Sequence, residues 1–520
     1  MGILQNTGDP THGLFRLPDA DERSRLRAGA PLNPIKIMMM LSTIEWLWFL
    51  GGLLTWIMDS YDFFSVSLSV TPLQDLYHKE ATDITYAILL TLLFRSLGAL
   101  LFGVAADRFG RRWTLTVNML FVAALSLGTA YCDTFPKFLG VRCIFGVAMG
   151  GVWGLSTATA LENMTPAARG LFSGILQQGY AMGYLIAAAV NLGWANPSND
   201  WRILFFLGAG LSLLGAIVRA ILPESPKFLE QKRQRKQKTS NENGVKTFCR
   251  DFGNMLKRYW PQCIYAILLM TGFNFFSHSS QDLYPKMLEA SKGLTSGQAS
   301  TATIISNCGA ISGGIIAGYV SQYTGRRIAM LTFVVLAGVL IPAWILPNSF
   351  SGLAAGGFFI QFGVQGAWGV IPAYLSEISP AAFRATFPGL AYQLGNMASS
   401  ASSTIESRGG DNIKMKDPKN PGKMIPDYAT VSAILMGCVA GYLVILIVFG
   451  IERGGGELKV NDSDPDGLTA DFRGGPGRDI ESPATQPNAD NAYIHDPQQF
   501  EHVADAKLCD PNIDEKKIGA

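Results

Sequence analysis

Charge is what this sequence has little of. Lys, Arg, Asp and Glu make up 16% of its 520 residues, against about 25% in a soluble protein. A net charge of +2 gives no reason to expect nucleic acid as a partner. Seven cysteines show neither paired spacing nor a metal-ligand pattern, which argues against a disulfide scaffold and a zinc module. No nucleophile–base set, metal cluster or phosphate loop is visible, so an enzyme is not expected, and no metal or cofactor is called for. No cleavable signal peptide is visible, and the first apolar run is long enough to stay as an anchor.

Apolar residues are what the chain has in plenty, at 48% with a positive mean hydropathy. The charges gather in both ends, a central segment and short connectors. Between them lie twelve long apolar runs, at 44–70, 84–106, 112–131, 137–160, 170–192, 200–222, 261–284, 298–321, 326–347, 351–377, 384–406 and 428–451. A helix crossing about 30 Å of hydrocarbon needs about 20 apolar residues, so each run is a candidate span. Residues 1–43 and 452–520 read as disordered cytoplasmic tails. The second is Gly-, Asp- and Pro-rich, with Lys507, Lys516 and Lys517 as handles for ubiquitin and trafficking machinery. Residues 223–260 read as a basic cytoplasmic loop. Its Lys232–Lys238 stretch agrees in sign with Arg108, Arg111 and Arg112, placing both loops and both termini on the cytoplasmic side.

The second half of the chain repeats the first. Gly103…Arg112 returns as Gly318…Arg327, Trp153-Gly154 as Trp368-Gly369, and Glu162 with Arg169 as Glu377 with Arg384. All three sit at one offset of 215 residues. The expected fold is therefore all-α and membrane-spanning. Twelve transmembrane helices form two pseudo-symmetric bundles of six, 44–222 and 261–451, related by an axis along the membrane normal. The Gly103…Arg112 loop, with Asp107, Arg108 and Arg112, belongs to gating, together with Glu162, Arg169, Glu377 and Arg384. Gln322 stands where Asp107 does in the first copy, so the two gate networks need not match.

Ionisable groups inside the runs are the site candidates, because they are expensive in hydrocarbon. The first run holds Asp59 and Asp62 on one face, either a hydrated pair near an outer mouth or acids lining a pathway. The second holds Arg95, whose charge is permanent and needs a partner. That partner is a first-run carboxylate or a bound carboxylate ligand, whose two oxygens match the guanidinium fork. In the seventh run, Asn274, Ser277, His278, Gln281 and Asp282 fall within an arc of roughly 140°. His278 and Asp282 are four apart and can touch, and such a pair can hold and release a proton near neutral pH. A polar seam between two helices is the alternative for this face. Later runs add Gln361, Gln365, Gln393 and Asn396.

The stretch Asn274-Phe-Phe-Ser-His-Ser-Ser-Gln-Asp282 resembles the signature Asn-x-x-Ser/Thr-His-x-Ser/Thr-Gln-Asp-x-x-x-Thr of the fungal Jen-type carboxylate:proton symporters. These form part of the sialate:proton symporter branch of the major facilitator superfamily. Asn274, Ser277, His278, Ser280, Gln281 and Asp282 match in register, and Lys286 replaces the closing Thr. The wider superfamily resemblance covers about residues 44–451. It implies a plasma-membrane importer of small carboxylates (lactate, pyruvate, acetate, malate or succinate) working with protons by alternating access. Arg95, Asn274, Ser277, Ser280, Gln281 and Gln393 would bind substrate; Ser280, about 100° off the centre of the face, is the weakest member. His278, Asp282, Asp59 and Asp62 would carry the proton. Lys286 is either an interfacial lysine reaching the headgroups or a cation that favours a second substrate carboxylate. Pro223-Glu-Ser-Pro226 is common in sugar porters, so a sugar porter, a carrier of larger organic acids and a non-transporting nutrient receptor remain the alternatives.

Overall fold

The computed structural model describes residues 33–79, 81–195, 200–238, 244–380, 383–416, 422 and 424–450. Of the expected tails, 1–32 and 452–520, with Lys507, Lys516 and Lys517, lie outside them, whereas 33–43, read as part of the first tail, carries the helix Pro34–Met39 with Ile37 and Leu41 buried. After a short helix at Pro34–Met39, the N-terminal half comprises α1 (Thr43–Leu68), α2 (Ala81–Phe109), α3 (Arg111–Ala130), α4 (Phe135–Gly150), α5 (Val152–Leu161), α6 (Pro166–Gln177), α7 (Gly179–Val190) and α8 (Arg202–Ile221), with Val70–Tyr77 as a further short helix. Then come α9 (Pro226–Lys238), α10 (Gly244–Gln281), α11 (Ser296–Thr324), α12 (Arg326–Ile345), α13 (Phe350–Ile378), α14 (Thr386–Ser399), α15 (Ser402–Asn412) and α16 (Tyr428–Val448). A two-stranded ribbon, β1 (Lys414–Lys416) against β2 (Met424–Pro426), is antiparallel and joins α15 to α16.

Each of the twelve apolar runs falls on helix. Among the described residues, seven helices are long and apolar enough to cross a membrane by length and composition. Two of the remaining runs, 170–192 and 384–406, are each broken into two shorter helices. The segment 223–260 is largely helical rather than a loop. It contains α9 and the first turns of α10, which bends at Tyr259 (φ −109°, ψ 16°), two residues before Pro261. Proline there removes a backbone donor and clashes with the preceding turn.

The helix starts obey local chemistry. Ser42 caps α1 through a reciprocal pair with Glu45, and Thr295 caps α11 in the same way with Gln298. The repeated turns are built alike: Gly110 (φ 112°) and Gly325 (φ 94°) let the chain reverse between α2 and α3 and between α11 and α12, a backbone region open mainly to glycine.

One apolar cluster fills the N-terminal half, centred on Tyr61, Met119, Phe145 and Phe205. Another fills the C-terminal half, centred on Phe273, Met330, Val364 and Leu443, and it takes in Trp56 and Trp153 from the first half. The halves meet where α2 packs on α14 and α6 packs on α11. A Cβ on Gly318 would stand 2.6 Å from the Gly174 Cα, so those helices touch backbone to backbone.

Candidate functional site

Arg95 on α2 is 2% exposed, and its Nη2 donates to Asp59 Oδ2 on α1 at 3.1 Å. The guanidinium Nε and the second oxygen of Asp59 have no hydrogen-bond partner. Asp59 therefore occupies part of a five-donor group, and Arg95 also lines a small cavity between the two halves. Both partners foreseen for Arg95 thus have a place: the first-run carboxylate is present, and donors remain beside the cavity. The reading of Asp59 and Asp62 as a hydrated pair near an outer mouth is overturned, since each is 1% exposed. They also face different surroundings. Asp62 accepts from Ser126 Oγ (2.9 Å) on α3 and Ser212 Oγ (3.0 Å) on α8 and lies outside the cavity lining.

Across the cavity, α10 presents Asn274, Ser277 and His278. Their spacing of three and one puts all three on one helical face. His278 Nδ1 is 3.0 Å from Asp282 Oδ2, and its Nε2 is 2.9 Å from Asn396 Oδ1 on α14. Both ring nitrogens thus face oxygens, the arrangement an imidazolium satisfies with two donors. Asp282 sits one turn further along, with 29% of its side chain exposed. Asn274 donates to the carbonyls of Met270 (2.8 Å) and Tyr392 (3.3 Å). Ser277 accepts from Gln365 Nε2 on α13 at 3.2 Å.

The polar face of α10 therefore divides. Ser280 and Gln281 do not line the cavity; both engage Gln361 on α13, with Gln281 Nε2 donating to Gln361 Oε1 at 2.8 Å and Gln361 Nε2 donating to Ser280 Oγ at 3.0 Å. For these two residues the seam between helices describes what they touch. Gln393 is buried one step behind the lining. It accepts from Asn396 Nδ2 at 3.3 Å, and its carbonyl accepts from Ser96 of the other half at 2.9 Å. Lys286 is exposed, with its Nζ 5.2 Å from the centre of the Tyr428 ring, outside the cavity.

Aromatic rings close the cavity. Tyr392 packs against Trp153 (4.7 Å between centroids) and Trp368 (5.8 Å), and Arg95 lies 6.0 Å from the rings of both Tyr392 and Phe63. Sequence reasoning took Trp153 and Trp368 only as repeat markers and passed over Phe63 and Tyr392. An aromatic residue on an apolar helix carries no sign of whether it faces lipid or a cavity.

The end of the molecule bearing the repeated turns is sealed. Asp107 accepts from the Thr386 backbone N–H (2.9 Å) and hydroxyl (2.7 Å) in the other half. Glu377 bridges Arg169 (3.4 Å) and Arg326 (2.9 Å), and Glu162 faces Arg384 at 3.9 Å. Of the arginines after α2, Arg111 is the buried one, meeting both Asp107 and Glu162 at 3.2 Å. Arg112 instead donates to the Ala220 carbonyl (Nε, 3.1 Å), and Arg108 lies 5.1 Å from the Phe109 ring centre. The sequence offered Arg111 only as a marker of sidedness, because neighbouring arginines look alike until helix phase picks the inward one. Glu224 of the Pro-Glu-Ser-Pro phrase caps α3, accepting from the Arg111 and Arg112 N–H groups (3.2 and 3.1 Å). Among the described residues, no group of three His, Cys, Asp or Glu is arranged to hold a metal ion.

The chain is similar to known transporters along most of its length. It is 37% identical over 436 residues to the "Carboxylic acid transporter protein homolog" of Saccharomyces cerevisiae, covering 81% of this chain and 70% of that protein. It is 25% identical to the "Cis,cis-muconate transport protein" of Acinetobacter baylyi, over 69% of this chain and 86% of that one. Among solved structures, the proton:xylose symporter XylE superposes with a TM-score of 0.64 at 19% identity, covering 80% of this chain and 98% of that one. That likeness speaks for the fold alone. The model of the Major Facilitator Superfamily matches residues 48–404, and the chain belongs to that superfamily of multi-pass membrane transporters.

Proposed function

We propose that this transporter imports small carboxylates together with protons. The observation that carries this reading is Arg95: a permanent cation beside a cavity between the halves, balanced by only one carboxylate. A sugar gives no reason to bury that charge, whereas a carboxylate matches it. The 37% identity to the yeast carboxylic acid transporter homolog supports the same substrate class. His278 with Asp282 supplies a proton-holding pair on the opposite wall. Asn274 and Ser277 would donate to the substrate by exchanging their present bonds to the Tyr392 carbonyl and to Gln281, and Gln393 would act on the site through Asn396.

Charge explains the coupling. Moving an uncompensated anion inward against an inside-negative potential costs about 2.3 kcal/mol per 100 mV. One accompanying proton cancels that for a monocarboxylate. A proton gradient of one unit contributes about 1.4 kcal/mol more, roughly tenfold accumulation. Twelve spans, with the repeated turns and both termini on the cytoplasmic side of the plasma membrane, fit the positive charge of those turns. In that orientation the sealed end is the cytoplasmic one, and Asp282 opens toward the outside. The two halves rock about the cavity.

The test is uptake of labelled lactate, at an outer pH of about 5 and about 7, in yeast lacking its own carboxylate carriers. Saturable uptake that rises at acid pH, collapses with an uncoupler and ignores excess glucose is the expected result. No uptake of lactate or succinate by protein shown to be at the cell surface would sink the reading.

A further inference from the structure

Glu406 on α15 is a buried carboxyl group that the proposed cycle does not use. It is 0% exposed, and neither of its oxygens has a hydrogen-bond partner. Helices α10 and α16 pack against α15. From α10, Asp282 is within electrostatic range, and from α16 the Ser432 hydroxyl lies close by without reaching hydrogen-bond geometry. Among the described residues, the charged groups nearby give it no counter-ion. Asp427 at the start of α16 is taken up capping Thr430, Lys286 sits over the Tyr428 ring, and Arg408 on α15 itself is exposed.

An ionised carboxylate left without partners in such a place costs several kcal/mol, so the group sits there as a neutral acid. A neutral glutamic acid with no hydrogen bond contributes little to packing that glutamine or leucine would not. What sets it apart is that it can take up and release a proton. Helices α10 and α14–α15 both run away from the sealed end. Ten residues separate Asn396 from Glu406, about 15 Å of helix, and four separate His278 from Asp282, about 6 Å. Asn396 is level with His278, to which it is bonded. The order from the open end inward is therefore Glu406, Asp282, His278.

We propose that Glu406 is a second proton-binding station of the C-terminal half, filled and emptied once per transport cycle. The inference rests on the symport reading. The step is a proton exchange with water: the carboxylic O–H is lost to give carboxylate and hydronium, and no other bond changes. A second proton per cycle is what neutral entry of a dicarboxylate requires.

The experiment uses the full chain reconstituted in liposomes, with protons and labelled lactate taken up measured together. Glu406→Gln keeps the shape of the neutral acid but cannot ionise. The expected result is one proton fewer per lactate than in the unmodified protein, and accumulation at a one-unit gradient lower by about tenfold, with lactate–lactate exchange retained. A ratio and accumulation equal to those of the unmodified protein overturn the inference. If Glu406→Gln does not fold, an apolar carbodiimide, which modifies protonated carboxyls, is applied to the unmodified protein. Modification of Glu406 that falls between an outer pH of about 6 and about 9 supports a cycling proton, and modification that stays constant overturns it. Lactate uptake by the unmodified protein with no proton uptake at all overturns the symport reading itself. Coupled uptake that Glu406→Gln leaves unchanged overturns only this inference.

Discussion

His278 of α10 and Asn396 of α14 are joined across the C-terminal half, Nε2 to Oδ1, at 2.9 Å. The imidazole is thereby held from both sides, with Asp282 on its other nitrogen at 3.0 Å. Two helices of the same half thus hold one imidazole, the group to which the proposed cycle assigns the proton. Asp282→Asn removes the carboxylate and keeps the shape. Proton-driven accumulation should be lost, by about tenfold or more per unit of gradient, while exchange of labelled for unlabelled substrate persists. Accumulation retained at acid outer pH, with normal surface expression, contradicts this assignment.

Arg95 should respond sharply to a change of shape at constant charge. Lysine keeps the cation but not the planar fork, so Arg95→Lys should raise the KM for lactate by about tenfold, the equivalent of about 1.4 kcal/mol of lost interaction. The readout is initial uptake rate against concentration. An unchanged KM means that Arg95 serves only Asp59.

Asp59→Asn leaves that buried guanidinium without its one carboxylate. Breaking a buried ion pair by removing one partner costs about 3–5 kcal/mol, so the purified variant should melt well below the parent protein. Addition of lactate should restore more of the melting temperature in Asp59→Asn than in the parent, because the incoming carboxylate fills the vacant role. Thermal unfolding in detergent, with and without lactate, decides it. Equal lactate-induced shifts in the two proteins speak against a shared site.

At the sealed end, Glu377 holds Arg169 of the other half and Arg326 of its own. Glu377→Gln should weaken closure there and raise the labelling of a single cysteine placed at Ser173, buried near the contact, by a reagent applied from the side of the sealed end. Labelling equal to that of the parent would show that the remaining contacts hold the end shut unaided.

Lys286 sits outside the cavity, over Tyr428. The ratio of succinate to lactate uptake should therefore be the same in Lys286→Thr as in the parent. A selective loss of succinate uptake would restore a role for this lysine in substrate choice.

Much of this was legible in the sequence, for identifiable reasons. The duplicated turns announce themselves because a positive-φ glycine admits few substitutes, so Gly110 and Gly325, each followed by two arginines, stand out at one offset. His278 and Asp282 stand out because ionisable groups are rare in apolar runs. Helix phase and partner choice were less accessible. Ser280 and Gln281 share the motif with His278 yet contact Gln361, and no spacing rule distinguishes a wall facing a cavity from one facing a neighbouring helix. Asp59 and Asp62 lie three apart, but the arginine partners the first while two serines hold the second. Glu406 was counted inside an apolar run and passed over, because a single acid near the end of a run reads as its hydrated edge.

The crossed carboxylate–arginine contacts have a further consequence. Glu162 faces Arg384, and Glu377 faces Arg169. Each residue meets the repeat image of its own sequence neighbour, the pattern of an isologous dimer interface, here folded into one chain. A self-complementary contact tolerates change only in matched pairs. Reversing Glu162 alone sets like charges against both Arg384 and Arg111, and exchanging Glu162 with Arg384 still leaves Arg111 facing an arginine. The bond from the Ala385 N–H to Asp107 has its image in the bond from the Gly170 N–H to Gln322, and Asp107 accepts two further bonds from Thr386. Beneath a symmetric pair of clasps, the two hinges of the closed end are therefore unequal, and opening should begin on the side where the neutral amide replaces the carboxylate.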